Sequence, residues 1–485
     1  MQNSIDKETG LVRSREGEQL GAGTDRVGAR WWLGLAVGVL LLSGLLSISV
    51  VVGRLPVFAR SLDPGFFRRC LVVHVDLALV IWFLAFLSAL YALLPVAGQR
   101  RVSRCPPHGL RVALAGTALL LSGALQKNAA PVLSNYIPML DSPVYALGIG
   151  LFLGGMLLYV LGRRALPGSE DVQENTFLPP EARVGVRAAA LAFVIAVTTF
   201  GISALVTPKA LPVQSYYELV FWGGGHVLQV AHEAAMVACW LWFVRMAAGE
   251  GALSRRMATV LFLALVLPNL AAPLLLVKGT GNILYIGGFT ELMRYTIFPP
   301  VLIVLAACVR TLWLARQRGT EQTGFAATLS RRAFFASAGL TVLGFVLGAA
   351  ITGHNTTVPA HYHAAIGAVT AAFMGMAYVL LGVLGKPLRT AWSLRWAAWQ
   401  PLVFGGGQAI FAVGFGFAGL HGSARKVYGG EQAVRTLSEW VGLSVMGLGG
   451  LVAVVGGLLF IVLMIHAVRH RADVANNTPE EPGSF

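Results

Sequence analysis

Thr352–Gly375 reads TGHNTTVPAHYHAAIGAVTAAFMG, and this stretch sets the terms for the rest of the chain. His354, His361 and His363 fall within ten residues, at the head of an otherwise apolar run. Three histidines at the end of a membrane helix are hard to explain as packing. Ligand-capable side chains at membrane depth are costly to keep and mark functional sites.

That the run belongs to a membrane helix follows from composition. The chain has 485 residues, of which 56% are hydrophobic and 12% charged. Soluble domains carry about 25% charged residues, so this is an all-α integral membrane protein. The four cysteines (Cys70, Cys105, Cys239, Cys308) form no CxxC pair and no CxxCH. A disulfide scaffold, a zinc ribbon and a covalently attached c-type haem are thereby excluded. The net charge of +15 does not indicate nucleic acid, because the basic residues sit mostly in short loops between apolar runs.

Apolar runs of about 20 residues, enough to cross a bilayer, recur twelve times. Spans 1–6 are expected at Trp31–Gly53, Cys70–Leu94, Leu110–Leu125, Val144–Leu161, Val184–Val206 and Leu219–Met246. Spans 7–12 are expected at Ala258–Val277, Leu292–Leu314, Arg332–Thr352, Ala360–Leu384, Trp396–Leu420 and Val441–Val468. Residues 1–30 and 471–485 read as polar tails flanking one membrane domain at 31–470. The first run is too long for a signal-peptide core and lacks a cleavage site, so it reads as retained. Basic segments such as GQRRVSRCPPHGLR and LGKPLRTAWSLR follow even-numbered spans, which puts both termini in the cytoplasm of a cell-membrane protein. The basic loop Arg54–Arg69 dissents. Glycine runs at Gly405–Gly407 and at Gly447, Gly449 and Gly450 read as close helix packing. Trp31, Trp32, Tyr216, Tyr217, Trp396 and Trp399 fit an interfacial aromatic belt.

This topology places His74, His226, His354, His361 and His363 at one depth, in the outer part of the membrane. At about 100° per residue, His361 and His363 point to nearly opposite faces of their helix. They suit two cofactors flanking it, and neutral imidazole is the usual axial ligand of haem iron. His74 is the remaining histidine at a span entry that can pair with one of them, which leaves His226 facing the other cofactor.

These residues carry a resemblance to the haem-copper oxidase superfamily, catalytic subunit I. HNTTVPAHYH (His354–His363) matches the pattern H-D/N-T-x-x-V-x-x-H-x-H of span 10, and FWGGGH (Phe221–His226) matches F-W-x-x-G-H of span 6. GSARKVY (Gly422–Tyr428) resembles the basic pair that holds haem propionates. The resemblance implies a twelve-helix bundle carrying two haems. His74 and His363 would be the axial pair of a low-spin haem, and His361 the proximal ligand of a high-spin haem. His226 would bind a second metal, copper or non-haem iron. His354, Arg425 and Lys426 would lie over the propionates.

The departures are equally specific. The family supplies two adjacent histidines at span 7, where this chain reads LPNLAAPLLLVKGTGN. Val230 stands where oxygen-reducing members with a span-6 tyrosine place it, and where cytochrome-c-linked nitric oxide reductases have Glu. His232 points about 120° away from His226, and Glu233 lies on the same face roughly 10 Å deeper. Glu233 reads either as a proton-path residue or as a carboxyl hydrogen-bonded to a neighbouring helix. Lys278 and Glu291 read as further ligands or as exposed loop charges, and His421 as a propionate neighbour or a loop residue. His108, His466 and His470 fall in cytoplasmic segments.

The expected function is a respiratory terminal reductase. Electrons would come from an outer-side c-type cytochrome or copper partner and pass through the low-spin haem to the high-spin site. There a diatomic gas is reduced, nitric oxide in slight preference to dioxygen, because the span-6 tyrosine and a polar inner channel are missing. The alternatives are a cytochrome c oxidase, a haem electron-transfer or gas-sensing subunit without the second metal, or a twelve-span transporter with histidine proton relays.

Overall fold

Helix starts follow from capping chemistry. Asp25 accepts a 2.7 Å bond from the Gly28 amide, Asp63 caps Gly65 and Phe66, and Ser254, Asn282 and Thr390 cap three later helices. Each side chain takes up backbone N–H groups that the first helical turn leaves unpaired. A computed structural model describes residues 24–55, 63–96, 107–163, 177–427, 434 and 436–469. Most of both tails, Cys105, Tyr428 and His470 lie outside the described residues.

The twelve expected spans form as helices. Spans 1–6 run Arg26–Arg54, Pro64–Ala92, His108–Ala124, Pro143–Arg163, Pro180–Val206 and Val213–Ala248. Spans 7–12 run Arg255–Leu276, Ile283–Arg318, Phe325–Ala349, Thr357–Val383, Ala391–Leu420 and Leu437–Arg469. Eleven are long and apolar enough to cross a bilayer by length and composition, and span 3 is a shorter helix of 17 residues. Span 8 begins nine residues before its expected start, because Thr290 and Glu291 interrupt the apolar run without interrupting the helix. Span 2 passes through a π-helical segment, Asp76–Trp82, directly after the turn that carries His74. Span 7 includes a 3₁₀ stretch, Leu267–Ala271.

Burial separates the histidine-bearing helices from the rest. The apolar windows of spans 6, 10 and 2 are 89%, 78% and 72% buried, and no other candidate span exceeds 56%. The residues that carry the candidate ligands thus lie on the centre of the bundle. Spans 11 and 12 pack around them by close backbone approach, for a Cβ at Gly407 or Gly449 would overlap the backbone of the facing helix. This is the small-residue packing that helices use in lipid, where apolar surface alone gives no preference for a neighbouring helix.

Between spans 3 and 4 the chain forms a small hairpin, Pro131–Val132 pairing antiparallel with Met139–Leu140. It lies at the same end of the bundle as the histidines. At that end too, Thr356 and Asn355 bond the segment Ser423–Ala424 that precedes Arg425.

Candidate functional site

His74 and His363 line one apolar cavity of about 300 Å³ enclosed by spans 1, 2, 10, 11 and 12 and by the hairpin. His74 Nδ1 donates to the Ser43 carbonyl at 2.9 Å, and the Ser43 hydroxyl bonds the His74 carbonyl at 3.0 Å. The proton is thereby placed on Nδ1 and the Nε2 lone pair is left for a ligand, the arrangement that axial histidines require. His363 packs on Phe411 with ring centroids 4.3 Å apart. Arg54, Arg425 and Lys426 reach the wall of the same cavity. An apolar slot with an imidazole on two of its sides and cations in its wall fits a bis-histidine haem with its carboxylates toward those cations.

Two of the cations are held by the hairpin. Arg425 bonds the Asn135 side-chain oxygen, and the Asn135 amide groups bond the Glu218 carboxylate. Lys426 Nζ donates to the Leu133 carbonyl at 2.5 Å. Burial and the adjacent Arg425 hold the Lys426 ammonium below its ordinary range, while Glu218 works against them. Lys426 also adopts a left-handed backbone, φ 61°, a conformation that costs about 1–3 kcal/mol for a non-glycine residue and persists where surroundings impose it. His354, expected over the propionates, is exposed and lies outside the cavity lining. His421 is exposed too, its Nδ1 on the Phe417 carbonyl at 2.8 Å.

His361 points the other way, as its spacing from His363 requires. Its Nδ1 donates to the Gly344 carbonyl of span 9 at 2.7 Å, and Gly348 leaves room for the ring. The tautomer is fixed as at His74, which suits a single proximal ligand to a second haem.

His226 is different. Its Nδ1 donates to the Trp222 carbonyl at 2.7 Å, and its Nε2 accepts from the Tyr136 hydroxyl at 2.9 Å. Thr290, whose hydroxyl donates to the Ile286 carbonyl, lies 3.5 Å from the same nitrogen. Burial, Tyr362 and Glu218 push the Tyr136 phenol well above its ordinary pKa, so it stays protonated and remains a donor. Of the three glycines of FWGGGH, Gly225 makes this contact possible, since it faces the Tyr136 ring with no space for a Cβ, while Gly223 faces Phe289 and Gly224 faces Phe200.

No group of three or more His, Cys, Asp or Glu side chains able to hold a metal occurs among the described residues. The donors at His226 therefore do not fit a second metal, which generally needs three or more. Lys278 and Glu291 do not fill the gap, since both are exposed and Glu291 pairs with Arg294 at 2.9 Å. His232 stacks edge-on against Phe83 instead. Gln229 and Glu233 share the His226 face of span 6, three and seven residues on, and each has a buried side-chain oxygen without a hydrogen-bond partner. On the opposite side of the protein, His466 is half-buried against Trp392.

Tyr136, Asn135, Glu218 and Ser43 had no motif to mark them. A signal existed in the loop QKNAAPVLSNYIPMLDSP between spans 3 and 4, longer and more apolar than a simple turn needs.

Comparison with known proteins bears on this geometry. The family model described as Cytochrome C and Quinol oxidase polypeptide I matches residues 28–463. An uncharacterised protein of Rickettsia prowazekii (strain Madrid E) is 24% identical, covering 90% of this chain and 94% of its own length. Another, from Aquifex aeolicus (strain VF5), is 26% identical over 73% of this chain and 84% of its own. A solved haem-copper terminal oxidase dimer superposes with a TM-score of 0.71 at 15% identity, covering 92% of this chain and 84% of that one. At that identity the likeness establishes the fold.

Proposed function

Because the chain belongs to the haem-copper oxidase subunit I family, we propose that it is the haem-bearing oxidoreductase subunit of a membrane respiratory reductase. It takes electrons from an outer-side c-type cytochrome or copper protein and delivers them to a diatomic gas. The observation that carries this reading is the cavity in which His74 and His363 stand with Arg54, Arg425 and Lys426. The haems, when bound there and at His361, supply one-electron carriers and an iron face for the gas. The chain does the rest. Ser43 and Gly344 fix the tautomers of His74 and His361, the cations offset the carboxylate charge, and the apolar walls keep water out.

The slight preference for nitric oxide over dioxygen weakens. Tyr136 brings a phenol to His226 from the hairpin, so Val230 in span 6 does not mean that a tyrosine is missing. The unpartnered oxygens of Gln229 and Glu233 mark a polar face running inward from His226, which supports Glu233 as a proton-path residue. The substrate class is therefore O2 or NO. A second reading, a haem electron-transfer or gas-sensing subunit, is favoured by the closed His226.

A reduced-minus-oxidised spectrum with and without CO tests the haem assignment. Two haems with one CO-reactive are expected, and a purified protein with no Soret band would end this reading. Turnover of NO or O2 with a reduced c-type cytochrome separates the enzyme from the second reading.

A further inference from the structure

We propose that His226 is not a metal ligand, and that the Tyr136 hydroxyl takes the place on its Nε2 that a second metal needs. The inference rests on the haem reading above but concerns the non-haem metal alone. A ligating imidazole has to offer a lone pair, and both nitrogens of His226 are already engaged in hydrogen bonds. One nitrogen donates to Trp222 at 2.7 Å and the other accepts from Tyr136 at 2.9 Å. Both partners are fixed. The Trp222 carbonyl belongs to the preceding turn of the same helix, and the Trp222 indole is tied to the Ile286 carbonyl at 3.0 Å.

Tyr136 is held just as firmly. Its ring centroid lies 4.6 Å from His226 and 5.9 Å from Trp222. The neighbouring Asn135 is anchored on Glu218 through its backbone amide at 3.0 Å. Gly225 provides the space into which the phenol fits, and any side chain there would expel it. Besides Tyr136, the side chains in contact with the His226 ring are a threonine hydroxyl and the rings of Trp222 and Phe289, and the Glu218 carboxylate is taken up by Asn135. Hard and borderline cations are held by carboxylates, imidazoles and thiolates, and this set contains one imidazole that is already used. Tyrosine and histidine thus form a hydrogen-bonded pair on the bundle axis, and the chain carries iron only in its haems.

The test uses the full-length protein purified from membranes grown with copper and ferrous iron. Total iron and copper are measured by elemental analysis, and haem iron by pyridine haemochrome. We expect total iron to equal haem iron, no stoichiometric copper, and no change in either balance in His226→Ala or in Y136F. One copper or one non-haem iron per chain, lost in His226→Ala, overturns the proposal. The haemochrome separates the two readings. Absence of haem defeats the functional reading, whereas a stoichiometric non-haem metal defeats only this one.

Discussion

His74 and His226 begin alike and end differently. Each is an imidazole on a central helix, anchored through Nδ1 on a backbone carbonyl. At His74 the far nitrogen is left to an apolar cavity that also contains His363 and three cations. At His226 it meets a tyrosine hydroxyl. The two histidines thus differ in what stands at the second nitrogen, which neither depth nor motif reveals.

The strongest way to break that contrast is to remove the two imidazoles that line the cavity. His363→Ala or His74→Ala is expected to abolish the low-spin haem and about halve the haem per protein, read by pyridine haemochrome and the reduced spectrum. Retention of the full low-spin signal in both variants would refute the axial assignment. His361→Ala should give the complementary loss, sparing the low-spin bands while CO no longer shifts the reduced spectrum. A low-spin loss in that variant would show that His361 and His363 do not serve separate haems.

Smaller effects sharpen the closed side. Gly225→Ala drives a methyl group into the Tyr136 ring and should destabilise the protein by about 1–3 kcal/mol, the usual scale of overpacking. Thermal unfolding in detergent measures it, and an unchanged midpoint would mean that Tyr136 does not sit there. Arg425→Gln should lower the midpoint potential of the low-spin haem by on the order of 60 mV, a tenfold change for one electron. A potentiometric titration that shows no fall would detach Arg425 from the carboxylates. Ser43→Ala removes the hydroxyl's contacts with the His74 carbonyl and Nδ1 and leaves the carbonyl that fixes His74. Its effect should be the least, about 0.5–1.5 kcal/mol in the same unfolding assay with the haem content unchanged.

Two arginines at the ends of the basic loop that disagreed with the charge pattern are tied down by the fold, and residues 56–62 between them lie outside the described residues. Arg54 is buried, bonds the Ala424 carbonyl at 3.2 Å and stands over Phe415. Arg69 bonds the Gln126 and Lys127 carbonyls that open the hairpin segment. Arg54 is committed to the cavity wall and Arg69 to the hairpin segment, so they say little about orientation. A charge count cannot separate a cation facing the membrane surface from one drawn inward by carbonyls distant in sequence.

What the sequence determined by itself was whatever depends on local periodicity. The twelve helices follow from apolar runs of bilayer length, and the opposed directions of His361 and His363 follow from 100° of rotation per residue. Helix ends were less legible, as at span 8, because a helix continues past its last apolar residue while its backbone bonds are satisfied. The state of each imidazole belonged to the tertiary structure alone. Ser43 lies 31 residues from His74, and Tyr136 lies 90 residues from His226. A ring nitrogen is opened or closed by whichever group the fold delivers to within 3 Å, and no spacing within one helix encodes that.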